Sequence, residues 1–213
     1  PVPSILSPGT WMMAPMASAL DRLEHVHPED RAAWRAWLVA NHAAAAGAWL
    51  VGWKAATGRP RLPYADSVEE ALCVGWIDSR AGTVDGERSR LLFTPRKAGS
   101  GWSRPNKERI ERLSAAGLLL PAGIAVVEAA RADGSWFALD DVENLVEPPD
   151  LAQALDADPR ARGHWDVFPR SAKRAILEWI STAKRPETRG KRIAETARLA
   201  AQDIRANQWR PKG

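Results

Sequence analysis

The pattern of apolar and polar residues in the first half of the chain indicates a helix by its spacing and a strand by its residue types. Trp34, Trp37 and Leu38 recur at the spacing of an amphipathic helix, which the pattern predicts to begin at Pro28. The next apolar segment, residues 49–54, is rich in residues that favour strands, so we predict the first strand there. The two signals together indicate a domain that contains both helices and a sheet.

A Ser-x-x-Glu sequence predicts the start of a second helix. Ser67 and Glu70 match this capping box, in which each side chain accepts a hydrogen bond from the other residue's backbone N–H. The helix should be short, because Gly75 follows soon after and glycine often ends helices.

The clearest local signal is a β-hairpin. Strand-forming residues flank Asp85 and Gly86, a dipeptide that favours a two-residue turn. We therefore predict a positive φ angle at Gly86, and we expect Asp78 to lie opposite about Phe93. Since a hairpin is antiparallel and helices alternate irregularly with strands, the predicted fold class is α+β, with an antiparallel sheet and flanking helices.

Beyond the hairpin, the pattern predicts only helices. Ser103 is the predicted N-cap of a helix that ends before Gly117, and another helix begins at Pro121. An acidic segment that ends in consecutive prolines, residues 141–149, is predicted to be a linker. Residues 150–213 show helical periodicity alone.

These elements predict four parts of the chain. Residues 1–20 lack periodicity and are expected to be a flexible leader. Residues 21–140 form the predicted α+β domain, and the linker, 141–149, joins it to a helical C-terminal module, 150–213.

The composition is typical of a globular protein, with 45% hydrophobic and 26% charged residues. No apolar run approaches the roughly 20 residues that a membrane-spanning helix needs. The first residues lack the basic start of a signal peptide. A single cysteine, Cys73, excludes an internal disulfide. We therefore expect a cytoplasmic protein without membrane insertion.

The net charge of +4 is unevenly distributed. Basic residues outnumber acidic ones from Arg160 onward, whereas the preceding part is net acidic. A solvated helix face is the favoured interpretation, and contact with an anionic partner such as nucleic acid is the alternative. No sequence pattern of a known nucleic-acid-binding module is present.

The hairpin and the segment after it combine aromatic, cationic and hydroxyl side chains in a way that core packing does not require. The predicted helix start at Ser103 has unsatisfied backbone N–H groups, which attract anions. We expect a site for a small anionic molecule or peptide, with tryptophan walls; the alternative is ordinary capping with surface cations. The predicted ligand contacts are Trp76, Asp78, Arg96, Trp102, Ser103, Asn106 and Lys107.

Two carboxylates in this region are candidate catalytic groups. Asp78 follows a tryptophan on the predicted hairpin, and Glu70 lies on the preceding helix. A carboxylate in apolar surroundings is a candidate general acid or base. For Asp78, structural pairing with a cation such as Arg96 is the favoured interpretation.

The sequence contains no motif that is typical of a nucleotide or metal site. Glycine-rich phosphate loops, His-Glu-x-x-His and Cys-x-x-Cys are all absent. His25 and His27 with Asp30 are the one grouping that resembles a ligand set, and we do not favour it as a metal site. We therefore expect no metal and no cofactor.

A set of motifs spread over about residues 34–209 together resembles the YdeI/OmpD-associated family, whose members are often labelled bacteriocin-protection proteins. The motifs that carry the resemblance are residues 37–42, 49–51, 68–79, 94–97, 102–107, 134–136, 179–184 and 187–193.

The resemblance implies a frataxin/CyaY-like α+β fold in the N-terminal part and a helical C-terminal region. The family name implies a link to tolerance of antimicrobial peptides and to an outer-membrane porin, and it implies no catalytic residues. We expect a small-molecule or peptide-binding protein linked to stress or antimicrobial tolerance. One alternative is an enzyme that uses Asp78 or Glu70 as acid or base beside Arg96 and Lys107. Another is a nucleic-acid binder that uses the basic C-terminal residues.

Overall fold

A computed structural model describes residues 19–208 of the chain. Within this range it contains one four-stranded sheet and nine α-helices, with helices alone after the last strand. The predicted α+β class with a helical C-terminal part is confirmed. Most of the predicted leader, residues 1–18, lies outside the described residues.

The sheet has the strand order β1-β2-β4-β3. Its strands are Glu24–Val26 (β1), Ala48–Trp53 (β2), Trp76–Thr83 (β3) and Arg88–Pro95 (β4). Strands β2, β4 and β3 are antiparallel neighbours, whereas β1 runs parallel to β2. The sheet is therefore mixed, whereas an antiparallel sheet was predicted. The difference is the short edge strand β1, whose sequence has no clear period and which was not predicted.

The first two helices begin at positions other than those predicted. Helix α1, Arg31–Asn41, begins after Pro28, because the Asp30 carboxylate caps it by accepting a 2.8 Å hydrogen bond from the Ala33 backbone N–H. Helix α2, Tyr64–Cys73, begins before Ser67. The hydroxyl of Ser67 donates to a carbonyl in the preceding turn, so the predicted capping box is wrong.

The predicted β-hairpin is confirmed. Its register places Asp78 opposite Phe93, as expected from the position of the turn. The pairing is irregular between Asp78 and Arg80, where the register shifts by a β-bulge.

The turn of this hairpin differs from the predicted two-residue turn. The four residues 84–87 connect the strands, and Gly86 is not among the glycines with a positive φ angle. Instead, the Asp85 carboxylate accepts hydrogen bonds from the backbone N–H groups of Glu87 (2.9 Å) and Arg88 (2.7 Å). This side chain closes the turn without a left-handed residue.

The remaining helices follow the last strand, and several begin with a proline in the first turn, which suits the fixed φ angle of that residue. Two short 3-10 helices, Ala19–Arg22 and Ala55–Thr57, complete the described elements. The helices are Arg104–Ala115 (α3), Pro121–Ala132 (α4), Asp140–Glu143 (α5), Pro149–Asp156 (α6), Pro159–Val167 (α7), Arg170–Ser181 (α8) and Pro186–Ala200 (α9).

The described residues divide into two compact units. Unit 1 comprises residues 19–71 and Trp76–Pro95, and unit 2 comprises Leu72–Gly75 and residues 96–208. This division differs from the predicted boundary near residue 140, where helix α5 contributes Val142 to the core of the C-terminal helices. Independent folding of residues 150–213 stays a prediction.

The core of unit 1 lies between the sheet and its two helices. Trp34 of α1 is fully buried, stacks on Trp37 and packs against Phe93 of β4 at a ring distance of 5.4 Å. Its indole N–H donates to the carbonyl of Ser67 in α2. This tryptophan therefore fixes both helices to one end of the sheet.

Candidate functional site

The predicted ligand contacts are divided between the two units. Trp76 and Asp78 belong to unit 1. The others belong to unit 2: Arg96, Trp102, Ser103, Asn106 and Lys107.

The two predicted contacts in unit 1 make interactions within that unit. Trp76 is only 1% exposed, packs against Trp37, and donates its indole N–H to the carbonyl of His42 at 3.3 Å. The carboxylate of Asp78 accepts a 2.9 Å hydrogen bond from the hydroxyl of Tyr64. Trp76 thus has the contacts of a core residue, and Asp78 those of a group that ties α2 to β3.

Glu70 forms a buried ion-pair cluster. One carboxylate oxygen accepts from Arg31 at 2.5 Å, and the other accepts from Arg35 at 2.7 Å. Arg31 also contacts Asp66 and Glu69, and the hydrogen bond with Glu70 is the largest cause of its raised pKa. Since both oxygens of Glu70 are engaged by cations, this geometry favours a structural link between α1 and α2 over proton transfer.

The start of helix α3 is already met by a carboxylate of the chain itself. Ser103 is the N-cap residue, but its side chain makes no capping hydrogen bond. Instead, Oε1 of Glu143 lies 3.5 Å from the Arg104 backbone nitrogen, and it accepts from Arg174 at 3.0 and 2.9 Å. An internal anion therefore lies where the sequence suggested an external one.

Two further predicted contacts are engaged within unit 2. The ammonium group of Lys107 forms an ion pair with Asp140 and lies 5.4 Å from the centre of the Phe137 ring. The side-chain carbonyl of Asn106 accepts a 3.0 Å hydrogen bond from Arg109.

Arg96 differs from these residues because its charge has no carboxylate partner among residues 19–208. Its guanidinium carbon lies 3.7 Å from the centre of the buried Trp102 ring. One terminal nitrogen donates to the carbonyls of Ser100 (3.3 Å) and Gly101 (2.5 Å), whereas the buried Nε has no hydrogen-bond partner in the described part of the chain. Burial lowers the pKa of Arg96 to about 10. No carboxylate of residues 19–208 forms an ion pair with it within 4 Å.

A cavity of about 100 Å³ lies beside this guanidinium. Its walls include Lys97 and Trp102 from the segment before α3, and Val126 from α4. Asp133 also lines it, with a pKa lowered by hydrogen bonds from the side chain and backbone of Ser135. The cavity therefore presents an apolar wall, two cations and one acid.

Sequence reasoning named Arg96 and Trp102 but did not name Asp133 or Ser135 as site residues. Both come from the corner after α4, distant in sequence from Arg96. The only sequence signal there was the Gly-Ser-Trp motif at residues 134–136.

Many basic residues of the C-terminal helices are engaged inside unit 2. Arg162 contacts Glu147 at 2.8 Å and Asp156 at 2.7 Å, and Arg189 contacts Asp150 at 2.8 Å. These contacts join α6 to α7 and α9. They favour a structural role for these cations over a continuous surface for nucleic acid.

Neither a metal cluster nor a membrane span is found in the part of the chain that the structure describes. Between residues 19 and 208, no three metal-binding side chains come together. Over the same range, none of the helices combines the length and apolar character that crossing a membrane requires.

The described chain comprises an α+β unit and a helical unit, and two separate segments of its sequence match the models of two different families. Residues 144–203 match the model of the family described as Bacteriocin-protection, YdeI or OmpD-Associated. The C-terminal helices are therefore similar to the YdeI/OmpD-associated family, as the motifs in that part of the chain indicated.

The N-terminal part matches a separate family. Residues 26–126 match the model described as Domain of unknown function (DUF8412), so the YdeI/OmpD-associated match does not extend over the N-terminal motifs. Comparison with curated proteins and with solved structures gives no match. The frataxin/CyaY-like fold of the N-terminal part stays a prediction.

Proposed function

We propose that the cavity beside Arg96 binds the anionic group of a small molecule or peptide. The observation that carries this proposal is the guanidinium of Arg96, which is partly buried, lies on Trp102, and has no carboxylate partner among the described residues. A bound carboxylate or phosphate supplies the missing negative charge.

Removing a charge from water is unfavourable unless an opposite charge or a hydrogen-bond acceptor compensates it. The carbonyls of Ser100 and Gly101 provide part of that compensation. The buried Nε is left without a partner among residues 19–208, and the rest of the guanidinium and the exposed ammonium of Lys97 offer donors to an anion in the cavity. Trp102 excludes water from one side, which strengthens the charge interaction.

The size of the cavity restricts what enters it. About 100 Å³ accommodates a carboxylate or phosphate group, whereas sites for whole drug-sized molecules occupy roughly 300–1,000 Å³. The proposed ligand therefore inserts only its charged end, and the negative charge of Asp133 at the wall favours a singly charged group over a doubly charged one.

The family description suggests a biological setting for this binding. It names bacteriocin protection, and a peptide presents a terminal carboxylate of the kind that Arg96 would accept. We propose that the protein acts in the cytoplasm, where binding of a peptide or small anion contributes to antimicrobial or stress tolerance.

Calorimetric titration with acetate and with inorganic phosphate tests the site directly. Arg96→Gln removes the charge and should weaken binding of the preferred anion about tenfold or more, since a charge-assisted hydrogen bond contributes about 1.5–3 kcal/mol. Lys184→Gln, at an exposed cation elsewhere in unit 2, is the matched control and should leave binding unchanged.

Native mass spectrometry of the purified protein complements the titration by detecting a ligand that is retained during purification. Equal anion affinity in the wild type and Arg96→Gln, with both proteins folded, would exclude Arg96 as the binding group.

A further inference from the structure

A second cavity, of about 340 Å³, lies over one face of the sheet in unit 1. Leu50 and Gly52 of β2 pair with Leu91 and Ser89 of β4, so these four residues share one face. All four line the cavity, together with Leu62 and Tyr64 from the segment that leads into α2. The floor is therefore a patch of sheet made of leucine and very small residues.

This end of the sheet is open because the helices cover the other end. Trp34 of α1 packs on Phe93, which pairs with the first residue of β2. Gly52 lies toward the opposite end of β2, and a Cβ atom placed there would have no heavy atom within 4 Å. The small side chains at this end thus leave space that no part of unit 1 between residues 19 and 95 fills.

A neighbouring cavity of about 500 Å³ extends this space into a groove. The two cavities share Gly52, Trp53, Arg61 and Leu62. The second one also reaches Glu29, which places a carboxylate on its wall.

Two arginines near the groove have different roles. Arg59 lies 4.2 Å from the centre of the Trp53 ring and 3.6 Å from the Glu87 carboxylate, so it holds its segment against the sheet. Arg61 lines both cavities and has no hydrogen bond or ion pair with residues 19–208. Its exposed guanidinium is free to meet a ligand at the point where the two cavities join.

We propose that this groove binds an amphiphilic monoanion, with its charged head at Arg61 and its apolar body on the floor of the smaller cavity. A volume of about 340 Å³ falls within the range of small-molecule sites, roughly 300–1,000 Å³. Leu50, Leu62 and Leu91 provide apolar contacts, and the Tyr64 ring forms a wall. Glu29 repels a negative head from the larger cavity, which orients the ligand.

Octanoate is the probe for this site, and 1-octanol is its uncharged counterpart. Octanoate should bind saturably in calorimetric titration and more tightly than 1-octanol. The titrations are repeated with the Arg96→Gln variant, which removes the proposed carboxylate site in unit 2. Octanoate binding that persists in this variant is assigned to the groove. This comparison also separates failure of the groove from failure of the Arg96 proposal.

Arg61→Gln tests the charged head. It should weaken octanoate binding about tenfold and leave 1-octanol binding unchanged, because only the anion loses a charge-assisted contact. Arg80→Gln is the matched control, since Arg80 is an exposed arginine of unit 1 outside both cavities. It should bind octanoate like the wild type.

Gly52→Val tests the apolar floor. The change is made in the Arg96→Gln background, where the carboxylate site of unit 2 is removed. The valine enters open space on a strand that tolerates β-branched residues, so the protein should keep its melting temperature while binding of both probes is lost. The proposal is overturned if octanoate shows no saturable binding to the Arg96→Gln variant. It is also overturned if adding Gly52→Val to that variant leaves its octanoate affinity unchanged. Should Gly52→Val unfold, equal octanoate affinities of Arg61→Gln and Arg80→Gln would overturn it instead.

Discussion

The Glu143 carboxylate lies at the N-terminus of helix α3, with its Oε1 3.5 Å from the Arg104 backbone nitrogen. The same oxygen accepts two hydrogen bonds from Arg174 of α8. Burial alone would raise the pKa of Glu143, but the hydrogen bonds and charge of Arg174, with a smaller contribution from Arg104, together lower it. One buried anion therefore joins α3, α5 and α8 and satisfies the positive end of α3.

We predict that Glu143→Gln lowers the free energy of unfolding by about 3 kcal/mol, because it leaves the Arg174 charge partly buried and without its principal partner. Glu178→Gln is the control, since Glu178 contacts the same arginine at 3.0 Å but is 38% exposed. That change should lower the stability by less than about 1 kcal/mol. Urea unfolding measures both. Similar small losses in the two variants would show that the Glu143 contacts contribute little.

The hairpin turn gives a second prediction. Gly86 has no positive φ angle, and a Cβ atom there would meet no other heavy atom within 4 Å. Gly86→Ala should therefore change the stability by no more than about 1 kcal/mol, with a gain expected from the stiffer unfolded chain. Gly58 is equally open but has a φ of 65°, so Gly58→Ala should destabilise by roughly 1–2 kcal/mol. Thermal unfolding of the two variants compares them; an equal loss at both positions would contradict the observed turn.

The contribution of the Asp85 carboxylate in the same turn to the stability of the fold should depend measurably on pH. Hydrogen bonding by the Arg88 side chain is the largest cause that lowers the pKa of Asp85 to about 2, from an ordinary value of 3.8. A carboxyl with a lowered folded-state pKa stabilises the fold above its unfolded value, and this contribution is lost as the pH falls from about 4 to about 2.

NMR titration of the Asp85 carboxyl carbon tests this prediction. In Arg88→Gln the midpoint should rise toward the ordinary value, whereas Arg80→Gln, on the neighbouring strand, should leave it unchanged. An Asp85 midpoint near 3.8 in the wild type would show that the ion pair with Arg88 does not form in solution.

Local patterns predicted the hairpin well, because its signal is short-range. The strand-forming residues around Asp85 predicted the pairing of Asp78 with Phe93, whereas the conformation of the turn and the β-bulge between Asp78 and Arg80 were missed. The capping box failed for a long-range reason. Glu70 is held by Arg31, which is 39 residues earlier in the chain, rather than by the start of its own helix. A sequence window cannot contain both partners of such a contact.

The same limit applies to the candidate site. The helix start at Ser103 looked like a site for an external anion, but Glu143, which occupies it, follows far later in the sequence. Trp76 lies beside Gly75 and two residues before Asp78 in sequence and yet is buried, since the register of the hairpin decides which face it occupies. Arg96 and Trp102 were predictable because they lie close together in the chain.

The close approach of α4 to the end of α2 gives the last prediction. A Cβ atom on Gly123 would lie 2.4 Å from the carbonyl oxygen of Cys73, which also accepts a 2.9 Å hydrogen bond from the Leu120 backbone N–H. The atoms that this Cβ would meet belong to the backbone of Leu72 and Cys73 and cannot rotate away, so Gly123→Ala must displace the helix. We expect the free energy of unfolding to fall by about 1–3 kcal/mol despite the better helix propensity of alanine. Gly190 of α9 has open space around it, so Gly190→Ala should instead stabilise by up to about 1 kcal/mol. Urea unfolding of both variants measures the difference; a stabilised Gly123→Ala protein would show that α4 does not contact Cys73 as described.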